Sequence, residues 1–487
     1  MRWIDKDMSA RISPTIIWVE RLASWLIQPA IVLFVLGLVL GRSMDNDTWW
    51  HLANGRWMVE HGQILAADPF SYTRAGAVWS HPGYPYEVAL YSAFKWLGYR
   101  GVDLLAALVI SAVFLVEWNA LKTGTLRRFL LVGVSILLSI SYWSARPNVF
   151  TLLFALLFMV VLEGFRLGNR RIIWLLPIAM LLWVNLHGGF PVGFLMVALY
   201  AVDFAKQGDR LRTLAAVSVM MALATLANPY GWYVHREIIL TAGRAAEQSM
   251  IQEWLSPDFH TPYGRLFLIA IAASVLALGF AHKPARASSV LLLVMVTTMA
   301  LVSRRHLALF AVVAPFAWAT SLGWDEVPMP APPNRKPDPL RAGISVGFFV
   351  YALAFLVLKW PDAATHRVDL SSYPAGAVGY LEGSRPPGQL FNAFHWGGYL
   401  TWALPEYPVF VDGRSDVYGD DIIIQSDQVE RALPGWQEVF RRWDIHTVLA
   451  SAGSPLGEAL PRDGWQLCYQ DPLADVYVDT GPCGTVP

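Results

Sequence analysis

Apolar positions in the chain gather into eleven long runs, at about 23–41, 102–119, 127–143, 148–165, 172–186, 190–205, 213–229, 264–281, 287–302, 307–323 and 342–359. A helix needs roughly 20 apolar residues to cross hydrocarbon, so each run predicts a membrane-spanning helix, the fifth and sixth being the shortest. The polar connectors alternate in kind. Lys122, Arg127 and Arg128 follow the second run, and Arg166, Arg170 and Arg171 the fourth. Lys206, Arg210 and Arg212 follow the sixth, Lys283 and Arg286 the eighth, and Arg335, Lys336 and Arg341 the tenth. Basic loops stay in the cytoplasm. The pattern therefore predicts a cytoplasmic N-terminus and an extracytoplasmic segment from about Lys359 onward.

The opposite connectors carry a different vocabulary: DNDTWWH, WSHPGYPYE, ARPN, NLHGGFP, QEWLSPDFH and SRRH. Most of the polar, non-basic-loop information falls on one side of the membrane, which places function outside the cytoplasm. The first outer loop, 43–101, is the longest and reads as ordered. Asp47 suits an N-cap, with Trp50, Asn54, Trp57 and His61 at helical spacing and Gly62 as a stop. Trp49, Trp50 and Trp57 are residues expected at headgroup level, so this helix is expected to lie on the outer membrane face. DPFSYT reads as a turn, and Pro85–Leu97 as a second helix ended by Gly98.

The segment after Lys359 has the mixed periodicities of a small α/β domain. GQLFN, YPVFVDG, HTVLAS and DVYVD are its candidate strands, and WGGYLTWAL and QVERALPGWQEVFRRW its candidate helices. A Pro-rich stretch, 327–339, reads as an inner linker, and residues 1–21 as a charged leader without a signal-peptide cleavage site. The expected class is mainly α: a polytopic helical membrane domain over 1–358 and an extracytoplasmic α/β domain over 359–487.

Composition agrees. The 487 residues are 55% hydrophobic and 15% charged, with no formal net charge. That is too little charge for a soluble protein of this size, and the neutral balance without a basic stripe argues against a nucleic-acid partner. Cys468 and Cys483 are either a disulfide across a short loop or two free thiols.

Several polar groups bear on chemistry. Asp45 and Asp47, adjoining hydrocarbon, are costly unless they hold a cation, take a proton or face water. They are candidates for a general base or a divalent-metal ligand pair, against a helix cap at Asp47 and a solvated Asp45. Arg304, Arg305 and His306 form a basic cluster at an outer mouth, suited to an anionic lipid phosphate or to headgroup snorkelling. Arg146 is a second phosphate contact or a helix-end anchor. His81 and His187 are substrate-binding candidates or hydrogen-bonded structural residues, and no HExxH spacing supports zinc. Glu253 and Asp258 offer a further acid or metal ligand, or plain solvated carboxylates. Asp412, Arg414 and Asp416 mark a site at a strand end or a salt-bridged turn.

A long first outer loop with interfacial helices, an acidic D-x-D after the first span, about eleven spans and an external α/β domain together resemble the GT-C glycosyltransferases. More narrowly, D-x-DTWWHL-x-x-GR-x-x-x-x-x-G, DPFSYT and N-x-x-x-WGGYL…VDGR-x-D look like a group of bacterial membrane proteins. The resemblance implies a multi-pass protein of the inner membrane that moves a sugar from a polyprenyl-phosphate donor to an extracytoplasmic glycan, lipid or protein acceptor. It implies Asp45 as base or metal ligand with Asp47 as its partner, and Mg or Mn as the metal. Arg304 and Arg305 fall where a lipid-phosphate contact is expected. No WWDYG-type motif is present, which argues against peptide-asparagine glycosylation. A transporter or flippase of polyprenyl-linked precursors would instead place charged residues deep in the spans. A non-catalytic envelope assembly protein is the third reading.

Overall fold

The computed structural model describes residues 14–281, 285–325, 339–364, 370–386, 388–479 and 483. Residues 1–13 of the expected leader and 327–338 of the expected linker lie outside these, as do Lys283, Arg335 and Lys336 among the orienting residues.

The fold is mainly helical, and a helix covers each of the eleven apolar runs, from Pro14–Val39 to Pro339–Ala364. Among the described residues five are long and apolar enough to cross a membrane: Tyr99–Ala120, Thr125–Tyr142, Val149–Arg166, Pro262–Gly279 and Ala342–Trp360. Four further apolar helices are shorter: Trp25–Val39, Ile172–Leu186, Pro191–Phe204 and Ala287–Val302. Two runs are trimmed for local reasons. Ile172–Trp174 is a 3-10 turn, and the α-helix proper begins at Leu175, which puts Pro177 in a first turn where its missing N–H costs little. The run at 213–229 ends as a helix at Ala224, because the Asn228 side chain caps a turn ahead of Pro229. Leu307–Ser321 is buried along nearly its whole length, with Phe310 edge-on to Phe267 at 5.1 Å, and forms the centre of the bundle.

The first outer loop folds into two helices, Asn46–His61 and Tyr84–Leu97. Gly55 lets them close: a Cβ there would run into the Glu87 carbonyl and the Tyr91 side chain. Trp49 is fully buried against Tyr99, Tyr373 and Tyr399, and Trp50 against Trp79 and His81. The chain's own aromatic rings cover Trp49 and Trp50, so these two tryptophans pack inside the protein.

The C-terminal sheet contains β1 (Gln389–Asn392), β2 (Ile445–Ser451), β3 (Gln466–Gln470) and β4 (Ala474–Val478), in the order β1-β2-β4-β3. β1 and β2 are parallel and the other pairs antiparallel. Three expectations change. YPVFVDG is not a strand of this sheet; its Val409 bridges to Ser71 of the outer loop, donating to the Phe70 carbonyl at 3.0 Å. β3 had no clear alternation and was not anticipated. The long expected helix at 428–443 is cut at Pro434, giving Ser415–Glu430 and Trp436–Trp443. Cys468 and Cys483 form a disulfide.

The outer loop and the tail are knitted together. Tyr72 donates to the Leu390 carbonyl at 3.2 Å, Thr73 to that of Phe410 at 2.6 Å and Arg74 to that of Tyr418 at 3.0 Å.

Candidate active site

Asp45 rather than Asp47 is the N-cap of the Asn46–His61 helix. Its Oδ1 accepts from the Thr48 N–H at 2.9 Å and hydroxyl at 2.7 Å, and the Asp45 N–H donates back to the Thr48 hydroxyl at 3.2 Å. The D-x-x-T spacing is a reciprocal capping box, a signal present in the sequence that the reading at Asp47 passed over. Asp47 is left in the first turn, where its Oδ1 accepts from the Trp50 indole at 3.1 Å.

Arg146, from the turn before the Val149–Arg166 helix, reaches into this helix start. Its Nε donates to the Ser144 hydroxyl and lies 2.9 Å from Asp45 Oδ2 in an ion pair, its Nη1 donates to Asp47, and its Nη2 to Glu253 Oε1 at 2.7 Å. One guanidinium thus faces three carboxylates from two separate outer loops. Its geometry is that of a counter-ion to acids, a role additional to the two expected for it, phosphate contact and helix-end anchor. Glu253 joins the centre, whereas Asp258 sits exposed beside His260, the plain solvated case.

The balance of charge sets the acids apart. Burial pushes the Asp45 carboxyl up, but Arg146 and the Thr48 hydrogen bonds outweigh it and hold it below the usual aspartate value. Asp47 is driven the other way, to about 6, by burial and by the charges of Asp45 and Glu253 against the pull of Arg146. About a quarter of the Asp47 side chain remains exposed, so it can meet a ligand.

The basic cluster separates. Arg305 lays its guanidinium over the Trp254 ring at 4.3 Å and has no ion pair or side-chain hydrogen bond among the described residues. Its backbone N–H donates to the Glu253 carbonyl at 3.3 Å, which fixes it beside the acids. Burial lowers its value, with Glu253, Glu247 and Asp47 opposing. Arg304 turns outward to the Gln252 side chain at 3.2 Å. Burial and Arg305 pull His306 down to about 4, so it is neutral at pH 7 and no part of a cationic cluster.

His187 accepts at Nδ1 from the Gly189 N–H at 3.1 Å, and Thr151 Oγ1 lies 2.7 Å from the same nitrogen. Burial, then Arg305, His81, His51 and Arg146, hold its ring far below the usual histidine value, and hence neutral. His81 stacks on Trp79 at 4.8 Å with its Nε2 3.2 Å from Glu87 Oε1. Glu87 also receives His51 Nδ1 at 2.7 Å and Asn54 Nδ2 at 2.9 Å. The sequence reading assigned no role to His51, Asn54 or Glu87; the (i, i+3) spacing of His51 and Asn54 was the available signal.

Of the two readings of VDGRSD, the geometry matches the salt-bridged turn. Arg414 donates to Asp412 and to Asp68, each at 2.7 Å, with all three side chains fully buried. Its guanidinium stacks between Phe70 and Trp79, at 5.0 and 5.1 Å. The turn nevertheless bears on the site. A Cβ on Gly413 would collide with the Asp47 carboxylate and crowd the Trp50 indole, so any larger residue would have to push this acid aside. Ser415 donates to Glu247 at 2.8 Å and the Trp79 indole to Asp416 at 2.8 Å, tying the turn to two outer loops.

No protein-family model matches the sequence, and no curated protein matches it. Solved structures do. ArnT from Cupriavidus metallidurans in the apo state aligns over 95% of this chain and 99% of its own, at 12% identity and a TM-score of 0.56. The Archaeoglobus fulgidus oligosaccharyltransferase AglB, in complex with an inhibitory peptide and a dolichol-phosphate, aligns over 90% of this chain and 69% of its own, at 12% identity and 0.55. The mycobacterial arabinofuranosyltransferase AftD aligns over 94% of this chain, which spans 42% of that protein, at 15% identity and 0.52. All three are membrane glycosyltransferases of the GT-C superfamily, and theirs is the fold of this chain.

Proposed function

We propose that this protein is a membrane glycosyltransferase that moves a sugar from a polyprenyl-phosphate-linked donor to an acceptor hydroxyl on the extracytoplasmic side. One observation supports this above the rest: Arg305, a guanidinium with no ion pair among the described residues, stands beside the acid centre of Asp45, Asp47 and Glu253. An anion receptor next to a proton acceptor is what transfer with loss of a lipid phosphate requires. The neighbours add weight, since one ArnT structure is bound to undecaprenyl phosphate and AglB to dolichol-phosphate.

In this reading the acceptor hydroxyl gives its proton to Asp47, whose value near 6 suits a base at neutral pH. The acceptor oxygen bonds to the anomeric carbon as the bond from that carbon to the phosphate oxygen breaks. Arg305 takes the charge that grows on the departing phosphate, and Arg146 keeps the acids in place. Asp45, committed at one oxygen to the helix cap, serves as the supporting acid, so the chief role passes from Asp45 to Asp47.

The centre also fits a hard divalent cation such as Mg or Mn. Three carboxylates face one guanidinium, and the rise at Asp47 comes in part from their mutual repulsion. Asp45, Asp47 and Glu253 would hold the ion, and it would supply positive charge for the leaving phosphate. We place residues 1–358 in the membrane domain and 359–487 outside a bacterial inner membrane, with the N-terminus cytoplasmic.

The test is reconstitution of the purified protein in liposomes with a panel of labelled polyprenyl-phosphate sugars and candidate acceptors. Release of free polyprenyl phosphate, lost in Asp47→Asn, is the expected result. Movement of an intact donor across the bilayer without bond cleavage would point to the flippase reading instead.

A further inference from the structure

The outer loop holds a second polar centre, and the proposed sugar transfer makes no use of it. His51, Asn54, His81 and Glu87 come from three separate pieces of the outer loop: one helix, the loop at 81 and the facing helix. The ligand atoms of His51, His81 and Glu87 all lie within 4.8 Å of one another. His51, Asn54 and Glu87 are each at most 3% exposed.

The hydrogen-bond accounting at this cluster does not close. Three nitrogens, His51 Nδ1, Asn54 Nδ2 and His81 Nε2, converge on the single oxygen Glu87 Oε1, at 2.7, 2.9 and 3.2 Å. Meanwhile Asn54 Oδ1 and His81 Nε2 are buried without a well-formed hydrogen bond. Buried polar atoms of this kind are costly, at about 1–3 kcal/mol each. Turning the Asn54 amide over, a change that leaves the side-chain shape unaltered, brings its oxygen to the same point as the two imidazoles and the carboxylate.

We propose that His51, His81, Glu87 and Asn54 form a binding site for a zinc-class transition-metal ion that braces the first outer loop. Two imidazole nitrogens with two oxygens make a borderline donor set, which prefers zinc over magnesium or manganese. Four protein donors close a tetrahedron and leave no open position, so the ion is structural. It clamps the Asn46–His61 helix to the Tyr84–Leu97 helix and to the 81 turn, and so holds the helix start that carries Asp45 and Asp47. The site differs from the acid centre in its ligands, and the two are separable by experiment.

The experiment uses the full chain, purified without a polyhistidine tag, dialysed against zinc and assayed for bound metal by mass spectrometry. The expected result is one zinc per chain, retained in an Asp45→Asn/Asp47→Asn double variant. Loss of a ligand in His81→Ala should weaken zinc by more than the roughly 10- to 100-fold that outer-shell partners cost. His81→Gln covers the case in which His81→Ala fails to fold. Cobalt in the same site should give the visible absorption of a four-coordinate ion. No stoichiometric zinc in the wild-type protein would overturn the proposal, as would equal zinc affinity in the His81 variants. Zinc lost from the double variant but kept in the His81 variants would assign the metal to the acid centre.

Discussion

Arg414 and Asp68 stand 346 residues apart in the chain, yet their side chains meet at 2.7 Å in a fully buried ion pair. Asp412 binds the same guanidinium, and Asp68 in turn accepts from the Phe70 and Ser71 N–H groups at 3.0 and 3.2 Å. The DPFSYT turn and the VDGRSD turn are therefore one structure, closed by a single arginine.

Removing one partner of such a pair strands a buried charge, at a cost of about 3–5 kcal/mol. Arg414→Ala and Asp68→Asn should each lower the thermal midpoint of the purified protein markedly, and the double variant should lose less than the two effects added. Full additivity in that cycle would show that the residues are not coupled.

The helix cap gives the two aspartates different signatures. Asparagine caps about as well as aspartate, so Asp45→Asn should keep stability and retain part of its activity. Asp47→Asn keeps the shape and loses the proton acceptor, a loss of about a hundred- to ten-thousandfold in rate. Turnover measured under matched folding decides the order. A greater loss at Asp45 than at Asp47 would return the base to Asp45.

Much of this architecture was legible in the sequence, because hydropathy and turn chemistry act locally. The eleven apolar runs became helices, Gly62 and Gly98 ended theirs, and Pro85 opened the Tyr84–Leu97 helix. The carboxylates and Arg305 stood out because charge at an outer membrane mouth needs a reason. What stayed hidden depends on distant pairing. Nothing local in ARPN shows that Arg146 will face three acids, nor in VDGRSD that Gly413 will press on Asp47. The packing of Trp49 is hidden for the same reason, since its partners Tyr373 and Tyr399 come from the tail, far along the chain.

The two arginines of the outer turn should now behave differently. Arg305, without an ion pair among the described residues and beside the acids, is the expected phosphate contact, while Arg304 faces Gln252 at the surface. A lost charge-assisted contact costs about 1.5–3 kcal/mol, roughly ten- to a hundredfold in affinity. Arg305→Ala should weaken binding of a polyprenyl phosphate by that factor, and Arg304→Ala should leave it nearly unchanged. Equal affinities for wild type and Arg305→Ala would reduce Arg305 to a headgroup anchor.

Proton and cation should compete at the acid centre. In the metal-free protein Asp47 takes up a proton as the pH falls through about 6, so the centre loses one charged ligand below that value. A divalent ion needs deprotonated ligands, and its binding must displace whatever proton is present. Affinity for magnesium or manganese should therefore be level above about pH 7 and fall as the pH drops through 6. The fall can reach about tenfold per unit below that point, as it would for one competing proton. Calorimetric titration of chelator-treated protein between these pH values measures it directly. Asp47→Asn has no such proton, so its weaker binding should lose the step near pH 6. A pH-independent affinity in the wild-type protein, or the same step in Asp47→Asn, would mean that Asp47 is not among the ligands.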